Sequence, residues 1–212
     1  MSIVTIIIII TGIITYMGFS DHQFIEKYKF SVSGIQAGEY YRYITSAFLH
    51  ADWMHFFVNM FTLYFFGDYF AEYFGMKSFL IIYFGGIIAG SYLSYYFHRN
   101  DLWYSAIGAS AGVNALLFAF VTLEPTELIF LFAIIPIPAL LFAVGYLWYT
   151  TKESQNTASR IGHEAHFGGA IAGVVLIILL DYQIIYHTHP WVAVLLLLIL
   201  WFGFDYMRKH KL

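Results

Sequence analysis

The chain has 212 residues, of which 60% are hydrophobic and 11% charged, against about a quarter charged in ordinary soluble domains. With a mean hydropathy of +0.71, a globule of this size cannot hide so much apolar surface, and an integral membrane protein is expected. Ten Lys+Arg against 13 Asp+Glu, a net charge of −3, leave no basic run to track a phosphate backbone, so no nucleic-acid partner is expected. The absence of cysteine excludes disulfides, thiolate metal sites and cysteine nucleophiles.

Apolar runs near the ~20 residues that cross a bilayer as a helix are separated by polar breaks. The first is Ile3 to Phe19, read as a retained span because it has neither a positive leader nor a small-residue cleavage site. A polar segment, 20–52, follows and is too long for a simple connector. Spans are then expected over Trp53 to Phe70, Ser78 to Phe97 and Ser105 to Leu123, the last broken by Glu124-Pro125. A fifth, Leu128 to Tyr149, contains Pro136 and Pro138 and is expected to kink. After a polar loop from Thr150 to Gly162 comes a sixth, Glu164 to Ile185. His187-Thr188-His189-Pro190 precedes a last apolar run, Trp191 to Phe204, and a basic tail, Arg208-Lys209-His210-Lys211. That run, about 14 residues, is short for a full span, so a seventh or an interfacial helix is expected. The fold class is therefore all-α: a polytopic membrane helix bundle with a six-span unit over 1–185 and a hydrophobic segment with its tail over 186–212.

Strongly polar groups at bilayer depth cost about 2.5–3.5 kcal/mol per charge and mark functional candidates. His55 and Asn59 lie four apart, on one helical face among apolar neighbours. They offer two N–H donors, fit either to stabilise an oxyanion or to tie two helices together. Ser110 stands between Gly108 and Gly112, and Ala115 and Ala119 continue a face of small residues. It is either a nucleophile under a closely packed helix or a packing serine bonded to its own backbone. His166 precedes Gly169 and Gly173, a second small-xxx-small pair. His163-Glu164-Ala165-His166 lacks the i,i+4 histidine spacing of zinc helices, so no metal is expected, and His163 is read as solvated at a loop edge. Together the three sites supply what acyl transfer needs: a nucleophile, a base and donors for the oxyanion.

The motifs resemble those of the rhomboid family of intramembrane serine proteases. Tyr41-Arg42-Tyr43-Ile44-Thr45 with Phe48-Leu49-His50 is similar to the family's W-R-x-x-T-x-x-F-x-H. His55 to Asn59 matches H-x-x-x-N, Gly108-Ala109-Ser110 matches G-x-S, and Ala165 to Gly173 matches A-H-x-x-G-x-x-x-G. The resemblance implies an endopeptidase with Ser110 as nucleophile and His166 as general base, without cofactor. It implies an oxyanion hole of His55, Asn59 and the Ser110 N–H. It also implies a partly membrane-embedded first loop, with Arg42 as a buried anchor, and membrane-protein substrates whose transmembrane helix unwinds readily. The departures are Ala111 for the glycine after the serine, Asn114 for the aromatic that stacks on the histidine, and Tyr41 for tryptophan. Ala111 is expected to crowd the approach of His166 or substrate.

The family orientation, N-terminus in the cytoplasm, places Lys27, Lys29, Arg42, Arg99, Lys152 and Arg160 outside and Lys77 inside, against the positive-inside rule. A last run that does not cross would return the basic tail to the cytoplasm and ease the conflict. The expected location is a prokaryotic cell membrane, from the small size, the missing presequence and the bacterial type of the motifs. Two other readings stand beside the protease: an inactive relative that binds and escorts membrane helices, and a small transporter. Oligomeric state is not legible.

Overall fold

The computed structural model describes residues 1–131, 134–156, 162–181, 183 and 189–211. Helix α1, Ile3–Ser20, starts where Ser2 Oγ accepts the Thr5 N–H at 3.1 Å, one of the first-turn donors that a helix leaves unpaired. Asp21 caps α2, His22–Tyr28, in the same way. The first loop continues through a short strand β1, Phe30–Ser31, then α3, Val32–Gln36, α4, Arg42–Thr45, and a 3-10 turn, Ser46–Phe48. Next come α5, Trp53–Tyr73, capped by Asp52, and α6, Gly75–His98. Gly75 at φ +81° supplies the left-handed residue that the tight turn between them requires. Strand β2, Ser105–Ala106, precedes α7, Ser110–Leu123. Strands β3, Leu128–Leu131, and β4, Ile135–Pro138, lead into α8, Ala139–Glu153; α9, His163–Leu180, and α10, Pro190–Lys211, complete the order.

Helices α1, α6, α9 and α10 are long and apolar enough to cross a membrane, and the chain is a helical membrane bundle, as expected. Three expected spans differ. Ser105 to Ala109 is not helical: β2 pairs antiparallel with β1, Phe30 opposite Ala106, and α7 begins only at Ser110. The run from Leu128 is not a kinked span but a hairpin, with Phe130 opposite Pro136, followed by α8 of 15 residues. Two prolines without N–H donors are tolerated in a two-stranded hairpin and not in a helix interior. The last run extends to 22 residues, because hydropathy alone misses Asp205 to Lys211, whose charges pair at i,i+3 and i,i+4: Arg208–Asp205 at 2.8 Å and Lys209–Asp205 at 2.6 Å. The expected end of the sixth span at Ile185, the 185/186 boundary, Arg160, His187 and Thr188 lie outside the described residues.

At the centre α6, α7 and α9 meet backbone to backbone. A Cβ at Gly168 would stand 2.7 Å from Gly90 Cα, and one at Gly112 would stand 2.7 Å from the Tyr83 ring. Those at Gly169 and Gly173 would strike the Ala111 and Ala115 carbonyl oxygens of α7. Close approach of this kind requires small residues, since lipid supplies no hydrophobic drive between helices.

The first loop is ordered by Arg42, buried as the resemblance implies. Its guanidinium donates to the Glu26 and Lys29 carbonyls, both at 2.8 Å, and pairs with Glu39 at 2.6 Å. At the far end of the chain Lys211 pairs with Glu164, the second residue of α9, and donates to the Ser154 carbonyl. The end of α10 therefore returns to the face that carries the start of α9. The basic tail thus lies at the same end of the bundle as Lys152, bonded to the Tyr206 hydroxyl, and the end of α6, where His98 faces Glu164. Because the chain has no cysteine, single introduced thiols report sidedness directly. His22→Cys and His210→Cys should react with an impermeant maleimide from one side of sealed vesicles, and Lys77→Cys only from the other.

Candidate active site

Ser110 is the first residue of α7, so its N–H is among the donors that the helix leaves free. His166 stands three residues into α9, about 4.5 Å along the axis from its start. The two are brought together with His166 Nε2 2.7 Å from Ser110 Oγ, both side chains partly accessible. The glycine contacts of α7 and α9 set that separation, since a wider helix spacing would carry the histidine away.

The turn before Ser110 is built by the first loop. The Gly108 N–H donates to the Ser46 carbonyl at 3.0 Å, and Gly108 sits at φ +131°, which side chains rarely adopt. A Cβ there would also lie 2.7 Å from the His55 ring and 3.8 Å from Ser110 Oγ. Gly108 therefore serves a turn and the seat of His55, not the helix-packing face assigned to it from spacing. Asn59, buried one turn beyond His55, donates one amide hydrogen to the His55 carbonyl at 2.9 Å and keeps the other.

His50 is a buried hub that spacing did not single out beyond its place in the motif. Nε2 accepts the Ala109 N–H at 3.4 Å, so Nδ1 carries the proton and donates to Thr15 Oγ1 at 3.0 Å, which donates to the Phe48 carbonyl at 3.0 Å. Loop, α1 and the residue before Ser110 are tied through one imidazole. Burial, and then the neighbouring His55, push the His50 pKa down to about 3 from its ordinary 6.5. An unfolded chain binds that proton at higher pH than the folded one does. Stability contributed by His50 is therefore complete above pH 6.5 and lost as pH falls from there toward 3, at about 1.4 kcal/mol per pH unit. In melting curves taken across that window, His50→Gln should flatten the acid slope by one proton's worth relative to wild type.

Other expectations are corrected. His163 is buried, with Tyr149 edge-on at 5.7 Å, not solvated. The Ala111 methyl faces Gly90 of α6 and does not crowd His166. Where the stacking aromatic is missing at Asn114, a residue of α8 stands in: Tyr146 lies nearly parallel to the His166 ring, 20° and 6.4 Å between centroids, with its hydroxyl 2.9 Å from Nδ1. Nothing in the spacing pointed to Tyr146, since α8 was read as one half of a kinked span. Among the described residues no group of three or more His, Cys, Asp or Glu is placed to hold a metal.

The model of the Rhomboid domain matches residues 37–183. RHOMBOID-like protein 12, mitochondrial, from Arabidopsis thaliana is 30% identical over 172 residues, covering 74% of this chain and 51% of that protein. Rhomboid protein 1, mitochondrial, from Saccharomyces cerevisiae is 32% identical over 138 residues, covering 62% of this chain and 39% of that protein. The chain thus spans about half or less of the length of the relatives it matches. The matched segment takes in the first loop from residue 37, the serine turn and α9 with His166, and by that match the chain belongs to the rhomboid family.

Proposed function

We propose that the chain is an intramembrane serine endopeptidase that cuts within or beside a substrate's transmembrane segment. The observation that carries this reading is the 2.7 Å contact between His166 Nε2 and Ser110 Oγ on two helices locked at their glycines. A serine hydroxyl is a weak nucleophile until a base takes its proton, and histidine is the usual base near neutral pH. Ser110 Oγ attacks the peptide carbonyl while His166 accepts the hydroxyl proton. The tetrahedral oxyanion is met by the free Ser110 N–H, the His55 ring seated on Gly108, and the remaining Asn59 hydrogen. Collapse expels the amine, protonated by His166, and leaves an acyl-enzyme. Water, deprotonated in turn by His166, releases the acid and frees Ser110.

The substrate class is a membrane protein whose helix unwinds locally, because a carbonyl bonded within its helix is closed to attack. Two observations weigh against the escort reading. The Ala111 methyl lies against Gly90, away from the dyad, and Tyr146 replaces the aromatic missing at Asn114. The compartment we propose is a prokaryotic cell membrane, on the type of the motifs. The mitochondrial names of both relatives describe those proteins, and fractionation of the source cell decides between the two. The test of function is cleavage of a fluorescent single-span substrate by the purified chain in liposomes. Cleavage lost on replacing either Ser110 or His166 supports the proposal, and an intact substrate with wild type, across several helix-breaking sequences, refutes it.

A further inference from the structure

Tyr146 lies outside every motif described above, yet its hydroxyl is 2.9 Å from the ring nitrogen of His166 that faces away from the serine. Asn114, one turn into α7, donates to the Ser110 carbonyl at 2.8 Å and lies beside the Tyr146 hydroxyl. Phe142 stacks on the Tyr146 ring from the preceding turn at 13° and 5.9 Å, and Phe118 of α7 leans on it at 6.1 Å.

A phenol has one hydrogen to give and two lone pairs to receive. Tyr146 Oη, 2.9 Å from His166 Nδ1, can accept the ring hydrogen held there. With that hydrogen on Nδ1, Nε2 presents a lone pair to Ser110 Oγ at 2.7 Å, as a general base requires. The reverse assignment, Tyr146 donating to Nδ1, would protonate Nε2 and leave the serine without a base.

We propose that Tyr146 is the positioning residue of His166, its ring held by Phe142 and Phe118. It selects the tautomer and holds the ring plane. In triads a carboxylate does this; here a neutral phenol does, which avoids placing a charge at bilayer depth. The aromatic absent at 114 is supplied from α8 by Tyr146, and Asn114 lies beside its hydroxyl. The inference rests on the hydrolase reading, since a tautomer matters only if His166 serves as a base.

The test uses the purified full-length chain with Tyr146→Phe, which keeps the ring and removes the oxygen. Turnover of the single-span substrate should fall roughly 10- to 100-fold with KM within about twofold, as a misdirected base loses part of its contribution. The rate at which a fluorophosphonate labels Ser110 should fall by the same factor, free of any effect on substrate docking. Asn114→Ala should lower turnover in the same way. The double variant should be no slower than Tyr146→Phe, since both remove one function. Should Tyr146→Phe fail to fold, Asn114→Ala carries the test alone, because it leaves the ring untouched. Wild-type turnover in Tyr146→Phe, a change in KM alone, or two losses that multiply would overturn the inference and leave the hydrolase reading standing. A wild-type chain that neither cleaves nor is labelled overturns the hydrolase reading and this one with it.

Discussion

Ser110→Ala should reduce cleavage of a single-span substrate by about 10⁴-fold or more, and His166→Ala by a similar factor. Without Oγ no acyl-enzyme forms, and with no cysteine in the chain no thiol can take its place. Without the imidazole the hydroxyl keeps its proton near neutral pH, and the departing amine lacks a donor. The two losses belong to one step, so the double variant should be hardly worse than either single one. Binding should persist, because neither change disturbs the glycine contacts or the His55 seat. Ser110→Ala is therefore expected to retain substrate in a pull-down while failing to cut it. Cleavage by Ser110→Ala within tenfold of wild type would place the nucleophile elsewhere.

The second large effect is expected at Gly169. A methyl there strikes the Ala111 carbonyl of α7, a backbone atom that cannot rotate away. Either α9 moves out or α7 does, at about 1–3 kcal/mol for the misfit. The functional loss should exceed the loss of stability. A shift of about 1 Å opens the 2.7 Å contact between His166 and Ser110, and displacements of that size cost on the order of 100-fold in rate. Gly169→Ala is thus expected to fold, melt several degrees lower and cut about 100-fold more slowly. Gly169→Leu should fail to assemble. Gly145 of α8 is the control: a Cβ there meets nothing within 4 Å, so Gly145→Ala should melt at or slightly above wild type, as the helix gains propensity. Equal activity of Gly169→Ala and Gly145→Ala in liposomes would show that helix spacing does not govern the dyad.

The bundle and most of its site were legible because the signals are local. Apolar runs of bilayer length fixed α1, α5, α6 and the start of α9 to within a few residues. Polar side chains stranded in apolar runs, His55, Asn59, Ser110 and His166, drew attention because such groups are costly in lipid. Glycines four apart on two runs announced close helices, and Gly112, Gly169 and Gly173 sit at that contact.

What the sequence could not disclose depends on partners distant along the chain. Ser105 and Ala106 read as helix because their composition is apolar and small, yet β1 lies waiting across the fold and claims their backbone hydrogen bonds. Gly108 read as a packing glycine, but its φ of +131° is set by the Ser46 carbonyl and the His55 ring. The span from Leu128 became a hairpin and a shorter helix, because prolines that break an α-ladder are accepted in a strand pair. His163 read as solvated because a loop precedes it, whereas Tyr149 covers it. Above all Tyr146 was invisible: a tyrosine in an apolar run carries no signal until α8 packs beside α9 and its hydroxyl meets His166 Nδ1. Local sequence, through hydropathy, periodicity and the cost of polar groups in lipid, determined that this is a helical membrane protein whose apolar runs carry a serine, two histidines and an asparagine. Tertiary structure alone decided how those groups are aimed, because hydrogen-bond direction and backbone turns are settled by atoms far away in the chain.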